Sequence, residues 1–442
     1  MADDEDENYV EYYINILIDW INKSFCLKKW NTILNIEELS LLVRTLISNV
    51  ISLLKTLTGL CEIHHKYFTM FNNKSLIAKD NVISASKIIN LYTRPFASKC
   101  ISLNIAKRCF KELKSGALIN DHYKYVNSKY KSLLFEYIKN KGINLNNVHI
   151  LNDNLYEYEL DLANFISNYW MKKGQAAAKF GTYHHQLLES ICKNYNEKKF
   201  TDIKQNISKI DKSVLSGINN FLQSFIFNNK WTILQNELSI SSKKYNIVGT
   251  IDFIYLKESV LEQLNRHFKK KLNSTTTNNN NDDDGNRDSI LELHIGIGDW
   301  KFIKDKDDHK NSNKCKYELS NYLDTKKFRY TIQLNIYKQI LDEMFNMLFK
   351  SNLQVKLTVS HLSLICFDYE NNKYTIEELE ILPQSIIQSI MLRAHYTTLN
   401  SNNTHDNNET LSGDHIINNH ELCTCPKSLE DHLSMVLSKI SI

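Results

Sequence analysis

The segment Leu291-Glu-Leu-His-Ile-Gly-Ile-Gly-Asp-Trp-Lys-Phe-Ile303 alternates in the manner of a β-strand, with Leu293, Ile295, Ile297, Asp299, Lys301 and Ile303 on one face. A carboxylate and an ammonium therefore continue an apolar face. Burying such charges is costly unless they are paired or bound to a metal ion, so their placement needs a reason. One reason is hydrolytic chemistry; the plainer one is a strand that emerges into solvent with Asp299 and Lys301 as an exposed ion pair.

Upstream, Tyr245-Asn-Ile-Val-Gly-Thr-Ile-Asp-Phe-Ile-Tyr255 forms a second alternating stretch, in which Asp252 shares a face with Val248 and Ile254. Gly249, three residues earlier, leaves room for a bulge or for the close approach of another backbone. A hairpin strand ending in a turn aspartate would look the same. Before these strands, helical spacing from Tyr183 onward places His185 and Glu189 one turn apart, as a shared ligand site or as an ordinary helical ion pair. Later, Arg329-Tyr-Thr-Ile-Gln-Leu-Asn-Ile-Tyr337 opens a helix with Gln333 and Tyr337 one turn apart.

Taken in order, Gly181-Thr182-x-x-His185-x-x-x-Glu189, Gly249-x-x-Asp252, Asp299-x-Lys301 and Gln333-x-x-x-Tyr337 resemble the motifs of the RecB-like branch of the PD-(D/E)XK nuclease superfamily, which includes mitochondrial genome maintenance exonucleases and exonuclease V proteins. The resemblance covers roughly residues 165 to 398. It implies an α/β fold with a restriction-endonuclease-like αβββαβ core and a mixed sheet. It implies that Asp252 and Asp299 hold Mg²⁺ or Mn²⁺ with His185 as third ligand. Lys301 would orient or deprotonate the attacking water and stabilise the oxyanion, and Gln333 and Tyr337 would position Lys301 or the nucleic-acid backbone. Glu189 would lie behind the ligands. Glu237, on a candidate strand from Trp231 to Ser241, stands where relatives often carry an acidic residue, although an edge-strand glutamate is an equal alternative.

The family's two aspartates lie on strands with a short connection, whereas here the stretch from 273 to 288, rich in Thr, Asn and Asp, separates them. Having nothing apolar to bury, it is expected to be an unstructured insert, which loop-closure entropy tolerates because its cost grows only logarithmically with length. Lys172, Lys173 and Lys179, with Lys326, Lys327, Arg329 and Tyr330, could track a nucleic-acid strand without sequence preference. The implied activity is hydrolysis of DNA, as a single-strand or flap exonuclease in replication, repair or recombination. The alternatives are an RNA-processing nuclease and a catalytically silent nucleic-acid-binding or scaffold protein.

Some relatives carry an iron–sulfur cluster held by one Cys before the core and three after it. Cys100 or Cys109 with Cys366, Cys423 and Cys425 would be the set here, but the trailing cysteines are not closely grouped and no cluster is expected. His415, His420, Cys423, Cys425 and His432 have an atypical spacing for zinc.

The wider chain must position these groups. At 442 residues it exceeds one ordinary core, and 42% hydrophobic with 24% charged residues is the balance of a globular protein. The net charge of +4 argues for no polyanion partner by itself. The acidic start Asp3-Asp4-Glu5-Asp6-Glu7 opposes a signal or transit peptide, the apolar stretch from Leu39 to Cys61 is broken by Arg44, Asn49 and Lys55, and nine cysteines show no disulfide pattern. An intracellular protein without membrane spans is expected. Helical spacing such as Tyr13, Ile16, Leu17, Trp20, Ile21 and Leu39, Leu42, Val43, Leu46, Ile47 predicts an all-α N-terminal domain over 1–140. A polar stretch would join it to a nuclease domain over 156–398, followed by a polar linker and tail over 399–442.

Overall fold

The computed structural model describes residues 82–93, 97–114, 128–143, 155–228, 230–242, 244–260, 262, 291–303, 313–348 and 355–403, with parts of 43–69. The expected insert at 273–288, the tail beyond 403 and the segment 13–21 lie outside these residues. The chain is α/β and divides into two units, one drawing on Met1–Arg94 with His185–Ile442 and the other on Pro95–His184.

The smaller unit is helical. Helices α2 (Ser98–Lys114), α3 (Ser128–Lys141) and the first part of α4 (Leu155–Asn196) supply its core. Ala106, Cys109, Phe110 and Leu113 meet Leu133, Leu134, Tyr137 and Ile138, together with Leu162, Ala163 and Ile166, each set recurring at three- and four-residue steps. Ser167 Oγ donates to Ser102 Oγ at 3.0 Å across this core.

The larger unit is built on a six-stranded mixed sheet. Strands β4 (Trp231–Ser242), β5 (Ile247–Lys257) and β6 (Leu291–Ile303) follow one another antiparallel. Helix α7 (Lys326–Leu348) then crosses to β7 (Val355–Asp368), which runs parallel to β6. Strand β8 (Lys373–Glu378) closes that side antiparallel to β7. Two short helices, α5 (Phe200–Ser208) and α6 (Lys212–Phe221), precede the sheet, and α8 (Gln384–Asn403) follows it. No helix among the described residues is long and apolar enough to cross a membrane.

The expectation of an all-α region before residue 140 is corrected here. Strands β1 (Thr58–Cys61) and β2 (Lys66–Thr69) form a hairpin, and the two-residue β3 (Ile83–Ser84) pairs parallel with the start of β5. Ser84 then caps α1 (Ala85–Tyr92) by accepting from the Lys87 amide at 3.3 Å. Ala85, Ile88, Ile89 and Tyr92 of that helix are buried in the core of the sheet unit. Strands of two to four residues are too short to show a period.

Strand β6 shows why its sequence contains Gly-Ile-Gly. A Cβ on Gly296 would come within 2.2 Å of Tyr255 Cζ, and one on Gly298 within 2.0 Å of Phe253 Cζ, so the rings of β5 lie across β6 in a trough that only glycine leaves open. The Tyr255 hydroxyl thereby reaches Ser363 Oγ on β7 at 2.7 Å. On the opposite face Leu293, Ile295 and Ile297 enter the main core, as their alternation predicts. Asp299, on the same face, is 2% exposed, so the strand does not simply run out into solvent there.

Candidate active site

The β5–β6 ladder runs over Phe253–Gly298, Ile254–Ile297 and Tyr255–Gly296. One step beyond, the amide of Trp300 donates to Asp252 Oδ2 at 2.9 Å, so a carboxylate takes a position that a main-chain carbonyl would hold in a continued ladder. On the other side of β5, the pairs Asn236–Phe253 and Leu238–Ile251 bracket Glu237 opposite Asp252. Glu237, Asp252 and Asp299 thus form one row across three neighbouring strands. Like charges placed opposite one another in a sheet are destabilising, so this row needs a cation or a proton to persist.

Helix α4 brings the imidazole. Its C-terminal turns are tied to β4 through Asn236 Nδ2, which donates to the Glu189 carbonyl at 3.3 Å, and through Asn196 Nδ2, which donates to the Ile233 carbonyl at 2.7 Å beside a register shift in β4. His185 Nε2 then lies 2.6 Å from Glu237 Oε1, and its Nδ1 3.8 Å from Asp252 Oδ2. The short His185–Glu237 approach lacks hydrogen-bond alignment, so the two atoms converge on a point rather than pair. Ligand atoms of His185, Glu237 and Asp252 all lie within 4.8 Å of one another. Together they could offer one imidazole nitrogen and carboxylate oxygens to a divalent cation.

Glu237 reaches this point at a backbone cost. Its φ of 50° lies in the left-handed region, which for a residue with a side chain costs about 1–2 kcal/mol. The sequence placed Glu237 only as an alternative, because alternation along a strand says nothing about a local left-handed residue that re-aims one side chain.

Asp299 stands next to the cluster rather than within it. Lys301 Nζ donates to Asp299 Oδ1 at 2.8 Å and lies 2.7 Å from Oδ2, so the ammonium straddles the carboxylate. Burial alone would raise the Asp299 carboxyl, but the Lys301 charge and a hydrogen bond from Asp252 hold it below the ordinary aspartate value. Asp252 is driven the other way, well above that value, by burial first, then by the charge of Asp299 and the bond to it. Burial would lower the Lys301 ammonium, yet Asp299 and Asp252 hold it well above the usual lysine range. Without a cation, the two carboxyls are thus driven apart: Asp252 holds its proton more tightly than an ordinary aspartate, and Asp299 less tightly, beside the Lys301 ammonium.

From α7, Gln333 Nε2 donates to the Tyr337 hydroxyl at 3.0 Å, and burial pushes the Tyr337 phenol up. The Tyr337 ring, not a backbone, is what Gly249 admits: a Cβ there would fall 2.2 Å from Tyr337 Cε1. Gly249→Ala is expected to destabilise the protein by about 1–3 kcal/mol through overpacking, read as a lowered urea midpoint. An unchanged midpoint would show that the ring yields freely.

The remaining sequence candidates are placed differently. Gly181 and Thr182 lie inside α4 in the smaller unit, and a Cβ on Gly181 would meet nothing within 4 Å. Lys172, Lys173 and Lys179 are exposed on α4 in that unit, and Lys326 is exposed on α7 in the larger one. Lys327 pairs with Glu377 at 2.7 Å, and Arg329 grips the buried Asp324 through Nε at 2.8 Å and Nη2 at 3.1 Å. Those two cations secure the start of α7 rather than offering free charge to a strand. Glu189 meets the site through its main chain, as above, and is not part of the three-residue cluster. Cys366 is buried in β7, while Cys100 is exposed and Cys109 buried in α2; the C-terminal cysteines and histidines lie outside the described residues.

No protein-family model matches the chain, and no curated protein matches it. What the site does must be argued from its own geometry.

Proposed function

We propose that the chain is a divalent-cation-dependent nuclease that hydrolyses phosphodiester bonds of DNA, on a core of the restriction-endonuclease-like kind. The observation that carries this is the meeting of His185, Glu237, Asp252 and Asp299, from one helix and three strands spread over residues 185–299, with the Lys301 ammonium on Asp299. The succession of helix, three antiparallel strands, helix and parallel strand supports the same reading. A scaffold needs no such row of acids, which weakens its fold.

His185, Glu237 and Asp252 would hold Mg²⁺ or Mn²⁺, with Asp299 adjoining. Bound there, the ion supplies Lewis acidity toward a phosphate oxygen and lowers the pKa of a coordinated water. Asp252 would hold the ion as a carboxylate, so cation affinity is expected to rise with pH. Lys301, held against the Asp299 carboxylate, would donate hydrogen bonds to the phosphate oxygen on which charge develops, or orient the attacking water. Asp299 holds that ammonium in place, and Gln333 with Tyr337 backs the floor of the site against Gly249.

By the sequence resemblance, the substrate is a single-stranded end or flap of DNA, with RNA as the alternative. The purified protein is expected to shorten end-labelled linear single-stranded DNA with Mg²⁺ or Mn²⁺, to stop in EDTA and to leave circular single strands intact. Cleavage of circles would make it an endonuclease. Preference for RNA would move the substrate class, and retention of every substrate uncut with both metals would leave a binding protein.

A further inference from the structure

Lys301 has a second contact that none of the four motifs contains. Its Nζ lies over the ring of Tyr330, 5.1 Å from the centroid. Tyr330 shares a face of α7 with Gln333 and Tyr337, at steps of three and seven residues. Its ring is partly buried against the main core, and burial raises its phenol.

The ring sits on a clamped helix start. Thr325 Oγ1 accepts from the Phe328 amide at 3.1 Å, and the Arg329 amide bonds the Thr325 carbonyl at 3.0 Å. Arg329 grips Asp324, and Lys327 is tied to Glu377 on β8. Four connections therefore hold the helical turn that carries Tyr330, making its ring a fixed surface beside Lys301.

We propose that Tyr330 is the positioning residue of Lys301: its ring face and the Asp299 carboxylate together hold the ammonium in one place, so that a remaining N–H is aimed at the substrate phosphate. An ammonium on a flexible four-carbon stem has many positions open to it, and an anion on one side alone does not select among them. An aromatic face attracts the same charge from a second direction without accepting a hydrogen bond, so it restricts Nζ while leaving its protons available. One face of the ring is thereby covered by a cation, which argues against a base stacking on that face. The catalytic consequence rests on the nuclease reading above; the contact itself does not.

The test uses the full chain, with two variants and two readouts. After reductive methylation with ¹³C, the Lys301 signal is identified by its absence in Lys301→Arg and its proton shift is measured without added metal. Ring current is expected to move it upfield in the wild type and in Tyr330→Phe, and the displacement is expected to vanish in Tyr330→Leu. An undisplaced wild-type signal overturns the proposal whatever the activity. In the cleavage assay, Tyr330→Leu is expected to lower kcat about tenfold with KM unchanged, and Tyr330→Phe to recover to within about threefold of wild type. A raised KM with unchanged kcat would instead make Tyr330 a substrate-stacking residue and overturn the positioning role. A displaced Lys301 signal in a protein that cuts nothing would uphold the contact and reject the nuclease reading.

Discussion

Asp252→Asn is expected to fold as stably as the wild type while losing at least about 10³-fold in cleavage rate, whereas Asp299→Asn is expected to lose activity and about 2 kcal/mol of stability as well. The difference follows from the resting charges. Asp252 is the member of the pair whose carboxyl is driven up, accepting from the Trp300 amide and bonding to Asp299. An asparagine reproduces both bonds, with its oxygen toward Trp300 and its amide toward Asp299, but cannot become the anion that a cation requires. Asp299 is the member held below the ordinary value by Lys301, and an amide there leaves a largely covered ammonium without its counter-charge.

A dependence on pH accompanies this asymmetry. The folded chain keeps a proton on Asp252 at values where the unfolded chain has lost it, so stability without a cation falls as pH rises from the unfolded value of 3.8 toward the raised folded value. Asp252→Asn is expected to flatten that part of the profile. Urea titrations in EDTA at about pH 5 and pH 8 decide the matter, and an equally steep profile in the variant would refute the upward shift of Asp252.

Glu237→Gly is the second expectation, and its signs are opposed. Glycine adopts a positive φ without penalty, and the change removes one of three acids from the row, so the cation-free protein is expected to gain up to about 1 kcal/mol. The same change removes one of the three converging donor groups and, on the proposed reading, is expected to weaken Mn²⁺ binding by about a hundredfold, measured by calorimetry, with cleavage falling in step. Strain kept for function has this signature. A variant that is both less stable and unchanged in cation affinity would show Glu237 to be an ordinary edge residue.

The candidate site was legible in the sequence to different depths. Asp299 and Lys301 were exposed by their own strand, because a two-residue alternation fixes which side chains share a face. His185 was one of several polar positions on a long helix, and the sequence offered the resemblance alone for choosing it. Lys327 and Arg329 read as free cations because their partners Glu377 and Asp324 are assigned only by packing. Gly249 read as a backbone approach; that a ring fills the space depends on where α7 lies.

What the sequence by itself determined about this protein is local: alternating strands around Asp252 and Asp299, helices around His185 and Gln333, and the succession that makes the chain α/β. Those features rest on interactions between residues a few positions apart, whose periods are written in the chain. Only the tertiary structure decided that Glu237 turns toward His185, that burial and Asp299 drive the Asp252 carboxyl up while Asp299 pairs with Lys301, and that Tyr330 flanks the same ammonium. Charges, protons and ring faces are shared between elements, and a group's chemistry is set by neighbours that the linear order does not name.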